Sequence, residues 1–166
     1  VKYAITVGIQ NSEFENILIT AVDEIFPVIS IEKMLNMIVE QNYDFVSGTR
    51  YKKGGKRLGG SIIGGLLSRL ANNSFSFITN FPLSDLTTGI KMFKKSKLRE
   101  LTLVAKPIGW AILYELALKS QKHNWRVTEV PVITINRLFG GKSTFSYKWL
   151  KEYGEWFFWG IVNLRN

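Results

Sequence analysis

A strand, a helix and a second strand follow one another near the N-terminus, and this order constrains the fold most. Residues 17–22 form a continuous apolar, β-branched run, which is typical of a strand covered on both faces. Apolar side chains in residues 31–41 recur at helical spacing, and Ser30 is the predicted N-cap. Residues 43–47 resemble a second strand. This order predicts a βαβ unit, with a parallel sheet and a right-handed crossover.

The rest of the chain alternates in the same way and fits one domain of 166 residues. We expect a helix over 62–78, a strand and a short basic helix within 90–103, and an amphipathic helix over 110–123. Residues 126–135 are rich in β-formers but contain Pro131, which predicts an edge position or a bulge. The pattern indicates an α/β fold, a mixed, mostly parallel sheet flanked by helices.

Aromatic residues dominate the C-terminal stretch, and we take residues 147–166 as an amphipathic helix separate from a domain over 1–146. One helical face gathers Trp149, Leu150, Tyr153, Trp156, Phe157 and Gly160, and the other gathers Lys148, Lys151, Glu152 and Glu155. Aromatic rings with lysines at their border are typical of a helix lying in a membrane interface. Two alternatives stay open: the aromatics pack on the domain core, or the segment leads into a spanning helix.

Composition and charge exclude several classes of function. Cysteine is absent and His123 is the single histidine, which excludes thiolate and multi-histidine metal sites and argues against a Ser-His-Asp hydrolase. Residues 1–49 carry two basic and seven acidic side chains, whereas residues 50–166 carry 20 basic and six acidic ones. The second part therefore suits an anionic partner, such as a phosphate, a nucleic acid or a membrane surface. A basic face that only aids solubility is the alternative.

Two sets of polar residues follow the predicted strands. Asp23 and Glu24 come after the first strand, at the sheet edge where ligands bind in open α/β folds, and adjacent carboxylates suit a hard divalent cation. A simple turn explains such a pair equally well. Arg50 follows the second strand after Gly48 and Thr49, where a guanidinium can bind a phosphate in a bidentate way.

Two further loops combine glycine with polar residues. Residues 85–89 join an acid, two hydroxyls and a glycine, and residues 137–143 form a second glycine-rich, cationic loop. Seven segments follow one another along the chain: ILITAVDE, DFVSGTRYKKGG, LLSRLANN, PLSDLTTGIKMF, ILYELAL, VTEVPV and NRLFGGKSTF. Taken in this order, they resemble glycosyltransferase family 2, above all its dolichol-phosphate mannose synthase and polyprenyl-phosphate glycosyltransferase branch.

The resemblance implies a GT-A-like, Rossmann-like fold, a nucleotide-sugar donor, a polyprenyl phosphate acceptor and a divalent metal, Mg²⁺ or Mn²⁺. Asp23 matches the second aspartate of the family's Asp-x-Asp metal motif, but the first falls at Ala21. Either Glu24 substitutes as a metal ligand with Asp23, or metal binding is weakened or lost.

The other matches imply contacts with the substrates or their phosphates: Arg50, Ser68, Asp85, Glu115, Arg137 and Lys142. Asp23, Asp85 and Arg50 are the implied catalytic residues. Ser68 matches a serine associated with the acceptor phosphate, although the basic residue that the family often has four positions earlier is Gly64 here. Glu115 matches a glutamate on the helix that closes the site, and Arg137 and Lys142 match a cationic loop over the phosphates.

We therefore expect an inverting transferase that moves a hexose from a UDP-glucose or GDP-mannose type donor to a polyprenyl phosphate. It would act at the cytoplasmic face of a membrane, bound peripherally or through further segments, and homo-oligomers stay open. The start at Val1 and the missing Pro-x-Tyr-Asn-Glu-like turn predict that a nucleotide-binding portion precedes this sequence. The alternative is a catalytically inactive basic module that binds a membrane surface or nucleic acid. Against nucleic acid, the aromatics cluster at one end instead of alternating with the basic stretches.

Overall fold

The computed structural model describes residues 1–21, 24–25, 27–136 and 147–164, which form a mixed α/β fold. The described helices are α1 (Lys2–Asn11), α2 (Val28–Val39), α3 (Ile62–Thr79), α4 (Ala111–Lys122) and α5 (Tyr147–Leu164), with a 3₁₀ turn at Ser96–Glu100. The described strands are β1 (Asn16–Ile19), β2 (Glu24–Ile25), β3 (Phe45–Thr49), β4 (Lys56–Leu58), β5 (Lys91–Lys94), β6 (Val127–Pro131) and β7 (Ile133–Asn136).

The helix termini follow from local chemistry, with one difference from the prediction. At the start of α3 the Ser61 side chain accepts a hydrogen bond from the Gly64 N–H, and Asn80 ends the helix in the left-handed region at φ 54°. Helix α2 begins earlier than expected because Pro27, and not Ser30, is its N-cap. The fixed φ of proline suits a helix start, and Ser30 is buried in the first turn.

The main sheet is mixed, as expected, but a mostly parallel arrangement is not confirmed, because two of the three strand pairings described in it are antiparallel. Its strand order is β1-β5-β3-β6, with β5 antiparallel to both of its neighbours and β3 parallel to β6. Strands β1 and β3 therefore point the same way, as the strand-helix-strand pattern predicts, but β5 lies between them. An inserted antiparallel strand leaves no signal in the order of the flanking elements.

A second, smaller sheet has the order β2-β7-β4. Strand β7 is antiparallel to β2 and parallel to β4. Pro131 ends β6, which is an edge strand of the main sheet, so the edge position predicted for this proline is confirmed. After Pro131 the chain passes directly into β7 of the second sheet.

Apolar side chains cover both faces of the main sheet. Phe45 and Phe93 belong to the cluster beneath α3, α4 and α5, while their neighbours Val46 and Met92 belong to the cluster beneath α2. Side chains alternate between the faces of a strand, so β3 is buried along its whole length. The sheet thus lies between two apolar cores, and its buried polar residues lie toward one end: Ser47, Thr49, Lys91 and Glu129.

Helix α5 packs its aromatic face on the larger core. Trp156 is buried, and the Phe157 ring lies 5.4 Å from the ring of Phe75 on α3. Gly160 permits this close packing, because a Cβ there would lie 2.5 Å from the Phe75 ring. Glu152, which we expected on the polar face, is buried and accepts hydrogen bonds from the Lys106 N–H at 3.0 Å and Trp156 Nε1 at 3.3 Å.

Bilayer-spanning segments are not found among the helices of the described residues: none combines the length and the apolar character that crossing requires.

Candidate functional site

Polar residues gather at one edge of the main sheet. Ile19, Lys91, Ser47 and Glu129 lie in register across its four strands. Strands β1, β3 and β6 end at this edge, whereas β5 starts there. The residue after β3, Arg50, therefore meets the loop that leads into β5. This is the edge at which α/β sheets bind their ligands.

A buried ion pair between Arg50 and Asp85 forms the centre of the site. Arg50 Nε lies 2.7 Å from Asp85 Oδ2 and Nη2 lies 2.8 Å from Oδ1, and the Arg50 backbone N–H also donates to Oδ2 at 3.1 Å. Burial by itself raises the pKa of Asp85, but the charge and hydrogen bonds of Arg50, aided by Lys91, hold that pKa below its ordinary value of 3.8. Asp85 is therefore ionised at neutral pH, and both groups have fixed orientations.

Three hydroxyl groups extend from this ion pair, and we call Tyr51, Ser68 and Thr87 the hydroxyl cluster. Arg50 Nη2 donates to Thr87 Oγ1 at 2.9 Å, Thr87 Oγ1 lies 2.7 Å from Ser68 Oγ, and the Tyr51 hydroxyl donates to Ser68 Oγ at 2.8 Å. Hydroxyl groups rotate and both donate and accept. The cluster can therefore redirect its protons toward an anion that arrives beside Arg50.

Side chains from two elements, β6 and α3, hold the loop that carries Asp85. Glu129 on β6 accepts the Ser84 N–H at 2.8 Å, and Asn72 on α3 accepts the Leu86 N–H at 2.7 Å. Asn72 also donates to Thr87 Oγ1 at 3.3 Å. A buried loop needs a partner for each backbone N–H. Because the residues on either side of Asp85 are held from different directions, the position of the Asp85 carboxylate is fixed in advance.

A completely buried lysine lies directly beneath the ion pair. Lys91 Nζ donates to Ser47 Oγ at 2.6 Å and to the Asp85 carbonyl at 3.3 Å. Burial lowers the pKa of Lys91 from 10.5 to about 8, although the charges of Asp85 and Glu129 partly oppose this effect. Lys91 thus adds positive charge close to Asp85 without contact with solvent.

The structure brings together some of the residues that the sequence predicts and separates one. Arg50, Asp85 and Ser68 lie within one hydrogen-bonded group. Glu115 is buried on α4, where its carboxylate accepts the Val104 and Ala105 N–H groups, each at 2.7 Å. It therefore fixes the chain before α4, and its described partners are that segment and Lys119 on its own helix instead of the Arg50 group.

The side chains of four predicted site residues are not among those that the structure describes. Asp23, Arg137 and Lys142 lie outside the described residues, as does the side chain of Glu24, whose backbone belongs to β2.

Several residues of the site were not predicted from the sequence. Asn72 follows Ser68 by four positions, so helical spacing alone places both on the same face of α3. Lys91 is a charged residue directly before the apolar pair Met92-Phe93 of β5, which is also a detectable signal. Tyr51 and Glu129 lack such a signal, because only the sheet and the loop bring them to this edge. Arg69 adds a further cation, with its guanidinium 5.9 Å from the centre of the Tyr51 ring.

The described carboxylates near the site do not form a metal centre. Both Asp85 oxygens accept from Arg50, and Glu129 binds the Ser84 N–H and forms an ion pair with Lys52 at 2.9 Å. Within the described ranges, no three acidic or histidine side chains come together as a metal site would need. The divalent metal that the sequence assigns to Asp23 and Glu24 stays a prediction.

Comparison with the models of known protein families gives no match for this sequence.

Proposed function

We propose that the chain is part of an inverting glycosyltransferase, which moves a hexose from a nucleotide diphosphate sugar to a polyprenyl phosphate. The observation that supports this most is the Arg50–Asp85 ion pair beside the hydroxyl cluster at the ligand-binding edge of the sheet. The motif order that resembles glycosyltransferase family 2, and with it a GT-A-like fold, belongs to the same proposal. A guanidinium and several hydroxyls are the donors that phosphate groups prefer.

The chemistry makes modest demands on the protein. A phosphate monoester has its second pKa at about 6, so the acceptor is largely dianionic at neutral pH and needs no strong base. One acceptor oxygen forms the new bond to the anomeric carbon. The bond from that carbon to the nucleoside diphosphate breaks, and its electron pair leaves with the diphosphate. Attack from the opposite side inverts the configuration, so positioning and stabilisation of negative charge are the protein's main tasks.

In this proposal Arg50 binds a reacting phosphate, and Asp85 holds the guanidinium in its productive orientation. Ser68 and Thr87 donate to the phosphate oxygens once their hydroxyl groups turn outward, and Tyr51 accompanies Ser68. The site is built before substrate arrives, since the Asp85 loop is already held by Asn72, Glu129 and Lys91. Preorganised donors stabilise developing charge without the cost of reorganisation during the reaction.

A second cation supports binding of a phosphate at the mouth of the site. Arg69 directly follows Ser68 on α3 and is exposed, with its guanidinium near the Tyr51 ring. Family 2 enzymes of this branch often have a basic residue four positions before the serine, where this chain has Gly64. We propose that Arg69 supplies that charge here, from the next helical position after Ser68.

The test measures transfer of labelled sugar from UDP-glucose or GDP-mannose to a polyprenyl phosphate in detergent, with Mg²⁺ or Mn²⁺ present. Arg50→Lys keeps the charge but loses the planar, bidentate group, so we expect a loss of about a hundredfold or more in rate. Arg126→Lys is the matched control, because Arg126 is exposed and precedes β6 at the opposite end of the sheet. Its rate should equal that of the unchanged protein.

Two outcomes contradict the proposal. Equal rates for Arg50→Lys and Arg126→Lys would remove Arg50 from the reaction. Absence of transfer from either donor by the full-length protein of which this chain is a part would favour the alternative, a catalytically inactive basic module.

A further inference from the structure

Helices α3, α4 and α5 reach one polar cavity, at the end of the main sheet remote from the hydroxyl cluster. Its volume is about 270 Å³. Four side-chain amides line it, at or just after the last turns of the three helices: Asn80, Gln121, Asn124 and Asn163. A rise of about 1.5 Å per residue places Asn80 about 18 Å from Ser68 along the axis of α3. The cavity is therefore separate from the site already described, and we call it the amide cavity.

Two of these amides belong to residues with an unusual backbone conformation. Among the described residues other than glycine, Asn42, Asn80 and Asn124 have a positive φ, between 54° and 57°. Glycine adopts this conformation without steric cost and is the usual residue just after a helix. The Asn42 amide has a role in the fold, since its Oδ1 accepts a hydrogen bond from Lys94 Nζ at 2.6 Å. Asn80 and Asn124 instead line the amide cavity.

Most amides of the cavity have no partner in the described part of the chain. The side chains of Asn80, Gln121 and Asn124 form no hydrogen bond with a described residue. Asn163 is paired, because its Oδ1 accepts from Lys122 Nζ at 2.6 Å. Each amide carries two N–H donors and an acceptor oxygen. The cavity therefore offers three groups that both donate and accept to a ligand that enters it.

The charges around the cavity favour a neutral ligand. Lys122 is the one charged side chain among the described lining residues, and its ammonium lies 5.1 Å from the centre of the Trp159 ring. Helix C-termini carry partial negative charge, which opposes an anion and which Lys122 offsets at the ends of α4 and α5. The described lining contains no carboxylate for a divalent cation. An apolar ligand would leave the amides without partners.

We infer that the amide cavity binds a sugar, a neutral ligand rich in hydroxyl groups. Neighbouring hydroxyls of a sugar ring both donate and accept, so they can pair with Asn80, Gln121 and Asn124. Phe81 and Pro82 supply an apolar part of the wall, which suits the C–H groups of the ring. Cavities of about 300–1,000 Å³ hold drug-sized ligands, so a volume of about 270 Å³ suits a single sugar ring. This inference does not rest on the proposed function.

Saturation-transfer NMR titrations of the full-length protein with glucose, mannose and maltose test the inference. The unchanged protein should bind at least one of these sugars. Asn80→Gly with Asn124→Gly removes two amides, and the fold should survive because glycine readily keeps the left-handed backbone. The dissociation constant for the sugar should rise about tenfold or more in this double variant, since two hydrogen-bonding groups are lost.

Asn42→Gly is the matched control, because it replaces the left-handed asparagine that lies outside the cavity. Its sugar binding should equal that of the unchanged protein. Gln121→Ala is a second test, whose side chain has no described partner in the fold. It should raise the dissociation constant about threefold. Circular dichroism compares the folding of all the variants.

Three results would overturn the inference. The unchanged protein binds none of the sugars, or it binds one as tightly as both the double variant and Gln121→Ala do, or Asn42→Gly weakens binding as much as the double variant does. Titration with butylammonium tests a cation as the occupant, and binding of butylammonium that only the double variant loses, without any loss of sugar binding, also contradicts the inference. Because no sugar nucleotide or polyprenyl phosphate is present, failure of the sugar-transfer assay leaves these results unaffected.

Discussion

Helices α3 and α5 have the same length, 18 residues each, but the fold uses their apolar faces in opposite ways. Helix α5 buries Trp156 and half-buries Phe157 against the larger core. Helix α3 instead turns Ser68 and Asn72 inward. Its outer face is exposed and consists of Ile62, Ile63, Leu66, Leu67, Leu70, Phe77 and Ile78. The aromatic content predicts α5 as the interfacial helix, whereas the structure leaves the larger exposed apolar surface on α3.

The comparison teaches that amphipathicity gives a helix two faces but does not say which one is covered. Helix α3 contributes hydrogen-bonding groups to the site, and buried polar groups need partners. Those partners lie in the Asp85 loop and around Arg50, so the polar side must face inward. Helix α5 also buries polar groups, since Glu152 accepts the Lys106 N–H and Tyr153 accepts the Trp110 N–H, but its inward side consists mostly of aromatic side chains. Hydrophobic burial therefore contributes more to its orientation.

The largest expected effect tests the burial of α5. Trp156→Ala should lower the free energy of unfolding by about 3–5 kcal/mol, because it removes a large buried side chain and leaves a cavity. Urea denaturation measures the difference. Phe158→Ala, on the exposed side of the same helix, should change it by less than about 0.5 kcal/mol. Similar losses of unfolding free energy for the two variants would mean that Trp156 is not buried against the core.

The pH dependence of the unfolding free energy tests whether Lys91, which lies beneath the Arg50–Asp85 ion pair, is shielded from water. Below about pH 8 Lys91 is protonated in both the folded and the unfolded chain, and the penalty for its burial is fully present. Between about pH 8 and 10.5 only the unfolded chain keeps the proton, so this penalty fades and stability rises with pH.

The control for that effect is Lys91→Met, which has no titratable group at this position. The unfolding free energy of the unchanged protein relative to Lys91→Met should increase by about 2–3 kcal/mol from about pH 7 to about pH 10. Urea titrations at several pH values measure it. A constant difference would show that Lys91 titrates as an exposed lysine does.

A third prediction concerns the polar side of α3. Asn72→Ala removes the acceptor of the buried Leu86 N–H, and we expect a loss of about 1–3 kcal/mol in the free energy of unfolding. Asn73→Ala changes the next residue, which is exposed, and serves as the control in the same denaturation series. If both variants unfold alike, Asn72 does not hold the Asp85 loop.

The smallest effect belongs to the outer face of α3. Leu66→Gln and Leu70→Gln should each change the free energy of unfolding by less than about 0.5 kcal/mol, since both side chains are already exposed. Differential scanning calorimetry of the single variants checks this. A marked loss of stability would place these residues in a packed environment and contradict the description of α3.

Much of the local structure was predictable from residue patterns. The helix expected over 62–78 is α3 with nearly the same ends, and Pro131 lies at a sheet edge as its missing N–H requires. The proximity of Arg50, Asp85 and Ser68 was also predicted, although only through the resemblance to a known family. Ser30 was assigned the wrong capping role because the fixed φ of Pro27 starts α2 three residues earlier.

What the sequence determined by itself was most of the helices, the strands of the main sheet and the two-sided character of these elements, since these depend on spacing, caps and turn residues within a few positions. The insertion of β5 between β1 and β3, the buried row of Lys91, Ser47 and Glu129, and the choice of outward face for α3 were decided only by the tertiary structure. Each of these features brings together residues that lie far apart in the chain. Local patterns fit several such arrangements equally well, and the native one is selected because it gives the buried polar groups hydrogen-bond partners.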